Sequence, residues 1–162
     1  MGIRMCDNTS VGVVLRNPAG AYALLTRALP PVGIAPAAGH VDEHGTALDA
    51  AVAELREELG VRARPHQLQP TAVAALRLDN TCRRPGGSHH CWWVYTAEFD
   101  VTLHPDARET RGAAWYTPAE LADLAARTRR WQAGAITDTA WTARPGLEPV
   151  WCDLLTRLKH LT

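Results

Sequence analysis

The sequence predicts an α/β fold on a mixed β-sheet, and three observations carry the prediction. Short runs of aliphatic, β-branched and aromatic residues are separated by Pro- and Gly-rich connections. Stretches with helical spacing fall between those runs, and turn signals between neighbouring runs mark hairpins. The 162 residues match the length of one compact domain with a sizeable core, so a single domain over residues 1–162 is expected.

Residues 11–15 (VGVVL) and 21–26 (AYALLT) flank RNPAG, whose Asn, Pro and Gly favour a turn, and together they predict a hairpin. The following RALPPVGIAPAAGH carries prolines and glycines that rule out a regular helix. A helix is predicted over 47–59, with Thr46 and Asp49 as a capping pair and Gly60 as its stop. Residues 71–79 and 90–100 read as two strands joined by NTCRRPGGSH, a loop carrying Arg83 and Arg84. GAAWYT is a short strand. TPAELADLAARTRRW is a helix opened by Thr117 as N-cap, Pro118 at the first position and Glu120 at the capping-box position. A second amphipathic helix over about 147–160 places Val150, Leu154, Leu155 and Leu158 on the core side. The segment 130–149 between these helices borders either the pocket or the partner in a homodimer.

Seventeen basic and seventeen acidic residues cancel, so no overall field draws the chain to a nucleic acid duplex or an anionic membrane. Every basic residue but Lys159 is arginine, a forked donor suited to phosphate. No apolar run reaches the ~18 residues of a membrane span, and MGIRMCDNTS lacks a signal-peptide stretch, so a cytoplasmic location is expected. Four cysteines without a C-x-x-C pair argue for reduced thiols. Cys82, His89, His90 and Cys91 stand close together, but their spacing is not that of a zinc finger or ribbon, which argues against a structural metal there.

The predicted helix over 47–59 poses the functional question. At ~100° per residue Glu54, Glu57 and Glu58 share one stripe, while Leu48, Val52, Leu55 and Leu59 form another roughly 130° away. Three carboxylates at this spacing repel one another, and Arg56, the nearest cation in sequence, is expected on a different side of the helix. Clustered carboxylates suit a hard divalent cation, Mg²⁺ or Mn²⁺, of the kind that bridges to phosphate oxygens. On this reading the segment is half of a metal-phosphate site. In the strand over 90–100, Cys91, Trp93, Tyr95, Ala97 and Phe99 form the apolar set, leaving Trp92 as the aromatic better suited to stack on a ligand ring, although core packing is the favoured reading for Trp92 too. Arg83 and Arg84 are candidates to clamp a phosphate.

The stretch from Gly39 to Val61 resembles the signature of the Nudix hydrolases, G-x5-E-x7-R-E-U-x-E-E-x-G-U with U aliphatic. Gly39, Glu54, Leu55, Glu57, Glu58, Gly60 and Val61 fit in register, whereas Gly45 and Ala53 stand where the signature has glutamate and arginine. In element order the likeness extends over residues 10–130. It implies an α/β/α sandwich and a Nudix pyrophosphohydrolase, in which water attacks a diphosphate linkage of a nucleoside diphosphate derivative or related small-molecule diphosphate. It further implies that Glu54, Glu57 and Glu58, with the Gly39 carbonyl, hold Mg²⁺ or Mn²⁺, and that the base is Glu54 or another acid. Glu98 and Glu109 are candidates, with Glu109 the better placed. The absent Glu and Arg resemble a pair that braces the loop on the helix, a task open here to Asp42, Glu43 or Asp49. Two rival readings share the fold. An isopentenyl diphosphate isomerase would carry its cysteine before the acidic helix, and Cys82 follows it; a nucleotide sensor would bind without turnover.

Overall fold

The computed structural model describes residues 4–108 and 110–162. Eight strands form one mixed sheet: β1 (Thr9–Arg16), β2 (Tyr22–Arg27), β3 (Ile34–Ala35), β4 (Ala37–His40), β5 (Gln69–Pro70), β6 (Leu76–Leu78), β7 (His90–Glu98) and β8 (Thr110–Tyr116). The helices are α1 (Ala47–Leu59), α2 (Pro118–Gln132), α3 (Asp138–Ala143) and α4 (Pro149–Arg157), with short 3₁₀ turns at Asp42–His44 and Pro65–Gln67.

β1 is the organising strand. It runs parallel to β7 from Thr9 opposite Cys91 to Arg16 opposite Glu98, and antiparallel to β4 from Ser10 opposite His40 to Val13 opposite Ala37. The predicted turn between β1 and β2 forms, with the Gly20 N–H on the Asn17 carbonyl at 2.8 Å and the Ala21 N–H on Asn17 Oδ1 at 2.9 Å. The hairpin itself is short. β1 and β2 meet only at Arg16 and Tyr22, because β2 turns away to pair with β8 and β3 while β4 takes the freed edge of β1.

The two faces of the sheet follow from strand alternation. Val11, Val13 and Leu15 point to one side, where Ala50, Ala51, Leu55 and Leu59 of α1 cover them. Val14 and Val94 point to the other, where Leu121 and Ala125 of α2 and Trp151, Leu154 and Leu155 of α4 pack. The result is an α/β/α sandwich. Gly12 is the flat spot that permits the second layer, since a Cβ there would overlap the Trp151 ring. Trp151 in turn meets Trp92 edge to face at 5.6 Å.

Several boundaries differ from expectation. The strand predicted over 71–79 is reduced to β6. Ala75 adopts φ 55°, which breaks the ladder, while the Val94 N–H on the Val73 carbonyl at 3.0 Å keeps the segment beside β7. The last helix is shorter than 147–160 because Leu147 leaves as a bridge to Ile34 and Lys159 takes φ 61°. α3 was not foreseen; Thr137 caps it by accepting the Ala140 N–H at 3.2 Å. Among the described residues no helix is long and apolar enough to cross a membrane.

Candidate active site

α1 forms where its caps require. Thr46 Oγ1 accepts the Asp49 N–H at 3.1 Å, and Gly60 closes the last turn with its N–H on the Arg56 carbonyl at 3.1 Å. Packing α1 on β4 and β1 turns its acidic stripe toward a cleft of about 380 Å³, which Gly39, Glu54, Glu57 and Glu58 all line. Glu58 sits at the seam between core and cleft: it is only 6% exposed, and its Oε2 accepts the Ala38 N–H at 2.8 Å. Glu54 lies directly against Gly39, where any Cβ would overlap its Oε1. Glu54 can therefore lie against the β4 backbone only because residue 39 has no side chain. Glu57 is exposed and accepts from Arg56 Nη2 at 2.9 Å. That corrects the expected placement of Arg56: at a solvated helix surface its long side chain folds back to the adjacent acid.

The same cleft is lined by residues 80–84 of the loop before β7, by β7, by the end of β2 and by the start of α4. Arg83 is exposed and lines the cleft. Arg84 Nη1 holds both oxygens of Asp42 at 2.8 and 2.7 Å, so the Asp42 turn before α1 is fastened to the loop. Trp92 lines the cleft at 5% exposure, with Nε1 on Asn80 Oδ1 at 3.3 Å. Two residues that the sequence did not single out stand beside these. Arg27 Nη1 lies 3.6 Å from Glu148 Oε2, and both line the cleft. Burial raises the Glu148 carboxyl above its ordinary range, with Arg27 working against the shift. No local signal marks this pair, because it exists only once the Ile34–Leu147 bridge brings the start of α4 to the end of β2. Glu98, weighed as a base, stands at the far end of β7 from His90, about 26 Å along a strand, and is not among the lining residues. Glu109 lies outside the described residues.

The cysteines and histidines regroup. Cys82 and His90 do come together, but with Cys6 and His40 rather than with His89 and Cys91. Alternation along β7 turns Cys91 away from the face that His90 uses, and Ser88 Oγ lies 3.4 Å from His89 Nδ1. Cys6 Sγ is 3.2 Å from His90 Nε2 and 3.4 Å from His40 Nε2, and Cys82 Sγ is 3.3 Å from His40 Nε2. Burial lowers both imidazoles and raises the Cys6 thiol.

The NUDIX domain profile matches residues 7–138 of this sequence. The chain belongs to the Nudix family. No curated protein matches it. Solved structures of the same fold include a MutT protein from Methanosarcina mazei, 13% identical with TM-score 0.64 over 98% of this Nudix chain and 96% of that one. A C. elegans Ap4A hydrolase is 20% identical, with TM-score 0.54 over 78% and 96%. The NUDIX domain of Shewanella oneidensis NrtR, solved with ADP ribose, is 16% identical, with TM-score 0.57 over 74% and 77%. At the first departure from the signature, Gly45 takes φ 89°, a conformation a glutamate would resist, and Arg84 holds Asp42 in the turn just before it.

Proposed function

We propose that this Nudix pyrophosphohydrolase is dependent on a divalent cation and cleaves the diphosphate linkage of a small nucleoside diphosphate derivative. The observation that carries the reading is one cleft lined together by Gly39, Glu54, Glu57 and Glu58 and by the arginines Arg27 and Arg83. The donor set suits Mg²⁺ or Mn²⁺: hard carboxylate oxygens, with Glu54 lying against the backbone at Gly39. Glu54, Glu57, Glu58 and the Gly39 carbonyl would hold the ion. When bound, it neutralises phosphate charge and makes a coordinated water more acidic.

The chain's own residues supply the rest. Arg83, exposed at the cleft, and Arg27 donate to phosphate oxygens, while the Arg84–Asp42 pair holds the loop that presents Arg83. Trp92 gives a rigid wall for the attached ring or sugar. Glu54, against the backbone of β4, takes the proton of the attacking water; Glu148 is a further acid lining the cleft, paired with Arg27. Attack by water and departure of a phosphate then need only alignment and charge compensation, which is the usual demand of phosphoryl transfer.

The test is turnover on a panel containing ADP ribose, a dinucleoside tetraphosphate and nucleotide sugars, with and without Mg²⁺ and Mn²⁺. Metal-dependent release of phosphate-containing products, lost in Glu57→Gln and Glu58→Gln, is the expected result. Binding without turnover across the panel would instead identify a sensor.

A further inference from the structure

The geometry points to a second metal site, a tetrahedral zinc centre formed by Cys6, His40, Cys82 and His90, separate in chemistry from the carboxylate site. One ligand atom from each of the four lies within 4.8 Å of the other three. Zn–S bonds near 2.3 Å and Zn–N bonds near 2.05 Å in a tetrahedron require sulfur-to-nitrogen edges of roughly 3.5 Å. The three such edges measured here are 3.2, 3.3 and 3.4 Å. Two thiolates and two neutral imidazoles are also the donor types and number of a closed structural zinc site, and their charge cancels that of the ion, which suits a place where Cys6 and His90 are buried.

Hydrogen bonding alone explains the cluster poorly. The Nε2 of an imidazole offers one in-plane hydrogen or one lone pair, yet two sulfurs sit at 3.3 and 3.4 Å from His40 Nε2, and Cys6 Sγ is shared between two imidazoles. Mutual contacts of this kind are what the edges of one coordination polyhedron produce. The surroundings fit thiolate as well. Each sulfur accepts the backbone N–H two residues further on, Asn8 to Cys6 at 3.3 Å and Arg84 to Cys82 at 3.2 Å, a second layer of donors that steadies negative sulfur. The Cys6 N–H on the Pro85 carbonyl joins the two cysteine segments, and the Cys82 N–H on the Gly87 carbonyl closes the second segment on itself, both at 2.9 Å. Gly87 is the residue that lets them close, since a Cβ there would overlap Cys82 and stand 2.8 Å from Cys6 Sγ.

The site knots three distant pieces of chain: the segment before β1, the end of β4 next to Gly39, and the arginine-bearing loop with the start of β7. Binding releases the thiol protons as two Zn–S and two Zn–N bonds form, with no redox change. The zinc therefore anchors the loop that presents Arg83.

The full chain, purified without added metal, should contain one zinc per molecule by elemental mass spectrometry. Cobalt(II) exchanged into the apo-protein should give the intense visible bands of a tetrahedral ion together with thiolate charge transfer. Cys82→Ser should lower zinc affinity at least tenfold, while Glu57→Gln should retain the full zinc content. The cobalt spectrum of the unmutated chain keeps the test decisive if the cysteine variant fails to fold. Free thiols with neither zinc nor cobalt bands, a Cys6–Cys82 disulfide, or zinc lost in Glu57→Gln but kept in Cys82→Ser would each overturn the assignment.

Discussion

Glu58 joins the Ala38 N–H with one oxygen while facing the cleft, so its two simplest replacements separate structure from chemistry. Glu58→Gln keeps an acceptor for Ala38 and removes the charge; turnover should fall at least about a hundredfold with the urea midpoint nearly unchanged. Glu58→Ala should in addition cost about 1–3 kcal/mol, because a buried N–H loses its partner. Glu148 tests the electrostatics of the cleft beside Arg27. Its folded-state pKa is raised from the ordinary 4.5, so the fold holds this proton to higher pH than the unfolded chain does. The associated stability is fully present below 4.5 and is lost as pH climbs through the raised value. Glu148→Gln cannot ionise, so its stability relative to the parent should improve from about pH 4 toward pH 8 in a series of urea titrations; a flat difference would mean that Arg27 compensates the charge completely. At this scale the acidic stripe was legible, since Glu54, Glu57 and Glu58 are spaced by the helix itself. The burial of Glu58 was not, because it depends on which backbone amide of β4 meets the helix.

The two longer helices announced themselves because their signals are local. Thr117 and Glu120 exchange the expected bonds, the Glu120 N–H on Thr117 Oγ1 at 3.2 Å and the Thr117 N–H on Glu120 Oε2 at 2.7 Å. Thr117→Ala should cost about 1 kcal/mol and lower the melting temperature by about 2–4 °C. The connection from β4 into α1 makes a sharper prediction. Gly39→Ala leaves the strand's hydrogen bonding possible but pushes Glu54 off the backbone, so isothermal titration should show weakened Mg²⁺ or Mn²⁺ binding beyond any loss of stability. Unchanged metal affinity would remove Glu54 from the ligand set. Strands were harder to read than helices. Residues 71–79 carry the composition of a strand, yet Ala75 steps out of the β region, and nothing in the composition of that stretch forbids the step.

The sandwich as a whole was legible in the alternation of strands and helices, while the features that join its distant parts were not. Cys6 and His90 are 84 positions apart, and the cluster they share draws on three segments whose meeting depends on the completed sheet. Trp151 is the other such joint: fully buried, it rests on Gly12 and against Trp92, linking α4 to both central strands. Trp151→Ala should destabilise the protein by about 3–5 kcal/mol in chemical denaturation, and a loss under 1 kcal/mol would show that the layer closes without it. The parallel pairing of β1 with β7 also sets an order of events during synthesis. VGVVL is made well before the strand beside it is complete at Glu98, and the ring above it arrives only at position 151. At ~5–20 residues per second, the nascent chain carries an unshielded, adhesive pentapeptide for several seconds on the ribosome.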